Sequence, residues 1–128
     1  MKLLLDTCSF LWLISDDPAL SPAARTLFAA AQNQVFLSAA SVWEILIKHR
    51  LGRLPLPAPA ERFVVQQRQA HGIEPLPIME DAVMHLHKLP DHHKDPFDRI
   101  LICQAISQGM TLLTPDDAIA RYPVPVVW

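Results

Sequence analysis

Four acidic residues occupy comparable places in the sequence, each beside an apolar segment. Asp6 and Asp116 each follow a short apolar run, Glu44 lies among apolar residues, and Asp98 lies in the first turn of a predicted helix. Carboxylates gathered at one place repel each other, so they need a cation. Oxygen ligands without thiolates favour Mg²⁺ or Mn²⁺, and such an ion activates water for attack on a phosphate ester. The implied chemistry is hydrolysis of a phosphodiester.

The acids also have structural explanations, which are most complete for the segment from Asp95 to Gly109. Asp95 has the residue type of a helix N-cap, Pro96 suits the first helical position, and Gly109 suits the position beyond the helix end. Asp98 would then only complement the helix dipole. Against this, Asp98 shares a helix face with apolar residues, namely Leu101, Ile102 and Ala105. A carboxylate at the rim of a core requires a partner.

Glu44 and Lys48 are one helical turn apart. As an exposed pair they would contribute only roughly 0.2–0.5 kcal/mol to helix stability. The almost wholly apolar neighbourhood of Glu44 argues against full exposure, so the acid is also a candidate for the site.

A predicted alternation of strands and helices positions these acids. Short apolar runs predict strands at residues 2–5, 35–37, 73–76, 111–113 and 124–127. Caps and helical spacing predict helices at 7–15, 21–31, 38–51, 60–71, 80–89 and 95–109, with a further helix starting at 114–117. This alternation is typical of βαβ units with a parallel sheet, whose strands present their carboxyl ends at one ligand-binding edge.

Composition sets the class of protein. The chain has 128 residues, 51% of them hydrophobic and 19% charged, with a net charge of −2. We therefore expect a single α/β domain over residues 1–128, and the charge excludes a strongly basic protein that coats nucleic acid. No apolar run reaches the roughly 18 residues of a membrane span, and an acid interrupts the N-terminal apolar run too early for a signal peptide. A cytoplasmic location with no membrane partner is expected.

Cysteine and histidine do not form a zinc motif. Cys8 and Cys103 lie in apolar contexts without a CxxC pair, so both are expected to be free thiols. Histidines at 85, 87, 92 and 93 invite a zinc site, but the first two lie on different faces of a predicted helix.

Four segments resemble one family over essentially the whole chain. They are LLLDT at 3–7, SAASVWEILIKHRLG at 38–52, HHKDPFDRILICQA at 92–105 and LLTPDDAIARY at 112–122. The order and the residues of these segments resemble the motifs of PIN-domain ribonucleases, specifically the VapC-type toxins of bacterial toxin-antitoxin pairs. The resemblance implies a PIN-like three-layer α/β/α sandwich and Mg²⁺- or Mn²⁺-dependent endoribonuclease activity on an RNA substrate. It also implies a homodimer and neutralisation by a cognate antitoxin.

The resemblance places Asp6, Glu44, Asp98 and Asp116 at the four acids of the family in order. Asp95 matches a recurrent extra acid, and Asp117 beside Asp116 leaves the choice of the fourth acid open. We expect Asp6 and Asp98 to bind the metal directly. Glu44 is expected to bind the same ion or orient the attacking water, and Asp116 to hold a second ion or act through water.

Neighbouring hydroxyls and basic residues complete the expected site. Thr7 and Thr114 are each close to an acid and are candidates to hydrogen-bond it, although helix capping is the expected role of Thr114. RNA also requires cations near an acidic pocket, because phosphate contacts supply most of the non-specific affinity. Lys48, Arg50 and Arg99 are the candidates. The helix dipole alone explains the first two equally well, and Arg99 is expected to pair with an acid.

Two alternatives remain open. A receiver-like regulatory domain also places carboxylates and Mg²⁺ at strand ends, but it would have an acidic pair after the first strand and a lysine after the last. This chain has Asp6-Thr7 and Tyr122-Pro123 at those places. A catalytically silent PIN-like binding domain would have lost one or more acids, whereas all four are present.

Overall fold

The computed structural model describes residues 1–128 and shows five strands and six α-helices. The strands are β1 (Lys2–Leu5), β2 (Gln34–Ser38), β3 (Glu74–Leu76), β4 (Thr111–Leu113) and β5 (Val126–Val127). The helices are α1 (Thr7–Ile14), α2 (Pro22–Ala29), α3 (Ala39–Arg50), α4 (Ala60–Ala70), α5 (Glu80–His85) and α6 (Pro96–Gln108). Short 3₁₀ turns occupy Leu86–Lys88 and Ile119–Arg121.

All strand pairs are parallel, in the order β3-β2-β1-β4-β5. Alternate residues of the strands point to opposite faces, so each face carries its own apolar core. Leu4 and Leu112 pack with α5 and α6 on one face. Leu3, Leu5 and Leu113 pack with α1, α2 and α4 on the other. The predicted three-layer α/β/α sandwich with a mainly parallel sheet is confirmed.

β1 is the central strand and the position where the strand order reverses. The chain first extends the sheet on one side of β1, through β2 and β3, and later on the other side, through β4 and β5. In open parallel sheets the crevice beyond the carboxyl ends at such a reversal is the usual ligand site. Leu5 pairs with Leu113 at this point, so the residues that follow β1 and β4 meet there.

The predicted limits of α6 are confirmed. The carboxylate of Asp95 accepts hydrogen bonds from the backbone N–H groups of Phe97, at 2.8 Å, and Asp98, at 3.3 Å. Gly109 ends the helix in the left-handed conformation with φ of 65°, which glycine adopts without strain.

The predicted helix after Thr114 is wrong, because that segment contains only the 3₁₀ turn Ile119–Arg121. Pro123 disfavours helical geometry at Tyr122, which leaves too few residues for a stable helix. The predicted helix at residues 80–89 likewise ends at His85 and tightens into a 3₁₀ turn before Pro90. None of the helices is both long enough and apolar enough to cross a lipid bilayer.

Candidate functional site

A cavity of about 230 Å³ opens at the carboxyl edge of the sheet, where β1 and β4 lie side by side. It is lined by Asp6, Thr7, Cys8, Leu11, Glu44, Lys48, Asp95, Asp98 and Asp116. The structure thus brings all four predicted acids together, with Asp95 as a fifth, and leaves the exposed Asp117 outside. The roles of these acids as ligands or catalysts remain predictions.

Asp6 is fixed by hydrogen bonds at both oxygens. It caps α1, with the backbone N–H of Ser9 donating to Oδ1 at 2.9 Å. The hydroxyl of Thr114 donates to Oδ2 at 2.5 Å. Asp6 is only 4% exposed, so these bonds hold its carboxylate in one orientation. Thr114 therefore supports an acid of the site, and its expected role as a helix cap is wrong.

Glu44 is buried inside the cavity wall, with an exposed fraction of 5%. The Thr7 hydroxyl donates to Oε1 and the Lys48 ammonium to Oε2, both at 2.6 Å. The Glu44–Lys48 pair therefore exists, but its acid is not exposed. The hydrogen bond from Lys48 to Glu44 raises the pKa of the lysine, so the ammonium stays charged.

Asp98 and Asp116 share a partner that the sequence did not reveal. The Nε2 atom of His93 lies 2.9 Å from Oδ2 of Asp98 and 3.0 Å from Oδ2 of Asp116. His93, Asp98 and Asp116 each offer one potential metal-ligand atom, a ring nitrogen or a carboxylate oxygen, and these three atoms lie within 4.8 Å of one another. Asp116 is further held by its backbone, since its N–H donates to the Thr114 hydroxyl at 3.1 Å.

The environment of the cavity disfavours the ionised form of the Asp98 carboxyl group. Desolvation by burial raises the pKa of Asp98 to about 7, and the nearby charge of Asp95 adds to the rise. Burial together with the charge of Asp6 raises the pKa of the Cys8 thiol to about 12. Cys8 is thus a neutral thiol that donates to Asp6 at 3.4 Å, in keeping with its prediction as a free cysteine.

The donor set fits a hard divalent cation. Five carboxylates face the cavity with a single lysine, and burial, together with the negative charges of Asp95, Asp6 and Glu44, raises the pKa of Asp98. A bound cation would remove that penalty, and oxygen donors of this kind suit a hard ion better than a soft one. The acidic cluster is therefore able to bind a metal ion.

The basic residues differ in availability. Lys48 and Arg50 are exposed at the end of α3, and Lys48 reaches the cavity. Arg99 does not line the cavity, and its side chain is only 17% exposed. Its guanidinium donates to Tyr122 Oη and to three carbonyls, those of Leu86, Pro90 and His93. An acid, Asp91, lies 3.6 Å away. These internal contacts argue against a role of Arg99 in RNA binding, which stays a prediction.

The contact of His93 with Asp98 and Asp116 was not predicted, because the sequence analysis considered the histidines only as zinc ligands. No group of the four histidines forms in the structure, and His92 instead packs edge-on against Tyr122 with ring centroids 5.2 Å apart. The available signal was the position of His93 two residues before the Asp95 cap, which places its ring beside the start of α6.

Comparison with known proteins gives a consistent answer. The family model described as PIN domain matches residues 3–125. The chain is 41% identical over 103 residues to Ribonuclease VapC16 of Mycobacterium tuberculosis. The matched segment covers 78% of this chain and 67% of that protein.

Solved structures share the fold at low sequence identity. VapBC2 from Rickettsia felis, bound to a DNA fragment from its promoter, has a TM-score of 0.72 at 15% identity and covers 99% of this chain and 98% of that chain. VapBC-1 from nontypeable Haemophilus influenzae has a TM-score of 0.70 at 19% identity and covers 99% of this chain and 97% of that chain.

Proposed function

This chain belongs to the PIN-domain family, and on that premise we propose that it is a metal-dependent endoribonuclease, the toxin of a toxin-antitoxin pair. Residues 1–128 would form its single PIN domain. The observation that carries the proposal is the convergence of Asp6, Glu44, Asp98 and Asp116 on one cavity at the point of strand-order reversal. The PIN match also excludes the receiver-like alternative.

We assign Asp6 and Asp98 as direct ligands of Mg²⁺ or Mn²⁺, with Glu44 and Asp116 completing the acidic site. When bound, the ion supplies an activated water and stabilises negative charge on the attacked phosphate. The fixed orientation of Asp6 supports the assignment, because ligand carboxylates bind best when outer hydrogen bonds hold them in place.

Glu44 is suited to orient the attacking water. Thr7 and Lys48 occupy one acceptor position on each of its oxygens. A carboxylate oxygen has a second acceptor position, so Glu44 keeps the capacity to accept a proton from a hydrogen-bonded water.

RNA would approach over the exposed end of α3. Lys48 and Arg50 provide positive charge beside the acidic cavity, and cations at this place compensate the repulsion between phosphates and carboxylates. The net charge of −2 means that this local patch, and not the protein as a whole, would attract the substrate.

Homodimerisation and binding of a cognate antitoxin are part of the same proposal, and so is action in the cytoplasm, where the RNA would be cleaved. Both solved relatives described above are VapBC complexes, which supports a protein partner. The surface also exposes large apolar side chains, including Trp43 at 60% and Met84 at 62%. Exposed apolar area of this kind is typical of a contact with another chain.

The proposal is tested by incubating purified protein, free of antitoxin, with a cellular RNA pool in Mg²⁺ or Mn²⁺. We expect discrete products that disappear with EDTA and in Asp6→Asn. Asp117→Asn is the matched control, because Asp117 lies outside the cavity and should leave cleavage unchanged. Folded protein that yields no products under any condition would favour the catalytically silent binding domain instead.

A further inference from the structure

The loop before α6 places His93 against Asp98 and Asp116, two acids that line the cavity. The backbone N–H of His93 donates to the Tyr122 hydroxyl at 2.8 Å, and its carbonyl accepts from Arg99 at 3.2 Å. The Tyr122 hydroxyl donates in turn to the carbonyl of Pro90 at 2.8 Å. Arg99 and Tyr122 thus act together to place the His93 ring, whose side chain is 17% exposed.

Both nitrogens of the His93 ring have partners, and these partners define the tautomer. The backbone N–H of Asp95 points at Nδ1 from 3.1 Å, and an amide nitrogen can only donate. Nδ1 therefore carries a lone pair, and the proton of the neutral ring is on Nε2. Nε2 donates that proton towards the two carboxylates of Asp98 and Asp116.

This arrangement prevents His93 from acting as a metal ligand. A ligating Nε2 would have to give up its proton, and Nδ1 would then have to carry one. A proton on Nδ1 would face the N–H of Asp95, the residue that caps α6. Ligation would therefore break a hydrogen bond at the start of the helix that carries Asp98.

The same arrangement fills the space between two acids. Oδ2 of Asp98 and Oδ2 of Asp116 come from different elements, and the Nε2–H of His93 is the donor that they share. A divalent ion bridging these oxygens would need the place of that N–H group. Asp98 also lines the cavity together with Asp6, whose carboxylate accepts a hydrogen bond from the Cys8 thiol at 3.4 Å.

We propose that His93 is a positioning residue that closes the gap between Asp98 and Asp116 to a second divalent ion and ties Asp116 to α6. The protein would accordingly hold one divalent ion per chain, with Asp6 and Asp98 as its direct ligands. This inference rests on the proposed function and deepens it, since it states how many ions the acidic site accepts and why.

The test is a Mn²⁺ titration followed by electron paramagnetic resonance, on the full-length protein free of any partner. Wild type should bind one Mn²⁺ per chain, without the spin coupling of a close ion pair and without a ¹⁴N signal from a coordinated imidazole. His93→Ala should admit a second, spin-coupled ion, because the two carboxylates lose their shared donor. His93→Gln should still bind one ion, because its side-chain amide keeps an N–H donor near the position of Nε2 and offers no imidazole nitrogen.

Each contrary result has a distinct meaning. Two coupled ions in wild type, or a ¹⁴N signal that disappears in both variants, would overturn the role of His93 while leaving a metal-dependent enzyme. A second ion absent from folded His93→Ala would also overturn it. A wild-type protein that binds no Mn²⁺ at all would overturn the metal site of the proposed function and this inference together.

Discussion

Glu44 and Asp98 line the same cavity but have different partners. Glu44 is almost fully buried and has a cation of its own, the Lys48 ammonium 2.6 Å away. Asp98 has no lysine or arginine beside it, and its partner is the Nε2 atom of His93, 2.9 Å from Oδ2. Burial therefore leaves Asp98 with a pKa of about 7, near to protonation at neutral pH. The comparison teaches that one acid is already compensated, whereas the other still requires a cation.

The largest effect should come from neutralising the uncompensated acid. Asp98→Asn should reduce RNA cleavage by roughly 10²-fold or more, because a ligand and several kcal/mol of charge stabilisation are lost. Initial cleavage rates at saturating Mn²⁺ measure this. Asp91→Asn is the control, since the Asp91 side chain is 94% exposed and lies outside the cavity. Equal rates for both variants would contradict a special role for Asp98.

The second effect should appear when a hydrogen bond, and not a charge, is removed. Thr114→Val deletes the hydroxyl that donates to Asp6 and should weaken Mn²⁺ binding by roughly 10-fold, as is typical when a ligand loses its outer partner. Calorimetric titration gives the affinity. Thr114→Ser keeps the hydroxyl and should bind as wild type does; a matching loss in both variants would point to packing as the cause.

The third variant makes Glu44 resemble Asp98. Lys48→Met leaves a buried carboxylate without its cation and should lower the free energy of unfolding by about 1 kcal/mol, a modest loss because Lys48 is itself 47% exposed. Thermal unfolding in EDTA measures the loss, and Lys48→Arg should largely avoid it. Added Mg²⁺ should then stabilise Lys48→Met more than wild type. A smaller gain in the variant would argue that Glu44 is not part of the metal site.

The smallest effect is a dependence of stability on pH in metal-free protein. The folded-state pKa of Asp98, about 7, is above the ordinary value of 3.8, so the folded protein binds a proton between these values that the unfolded chain has released. Its contribution to stability is therefore present near pH 4 and is lost as pH rises through 7. Asp98→Asn should remove this dependence and unfold at a higher temperature than wild type at pH 8 in EDTA. A variant that is less stable than wild type at pH 8 would contradict the unfavourable environment of Asp98.

The sequence was informative wherever a local signal decided the structure. Three leucines before Asp6 predict a buried strand, and the proline and glycine around α6 mark its ends. These features depend on residues a few positions apart, so elementary rules find them. The acids could be gathered into one site because parallel strands end at the same edge.

The sequence was uninformative where distant residues decide. Thr114 meets Asp6 across 108 positions, and His93 is oriented through Tyr122, 29 positions away. Neither contact leaves a local signal. The helix expected after Thr114 failed for a related reason, since a prolyl residue downstream limited it more strongly than the capping residues promoted it.

The long separation between Asp6 and Thr114 also sets an order of events during synthesis. β1 can pair with β2 once residue 38 has been made, but its other neighbour, β4, begins at Thr111. At about 5–20 residues per second, translation from Asp6 to Thr114 takes roughly 5–20 s. Throughout that interval the nascent chain carries Asp6, and from residue 44 onward also Glu44, without Asp116 or the donor that orients Asp6. The acidic cluster that we propose as the nuclease site is therefore incomplete on the ribosome until Asp116 has been added.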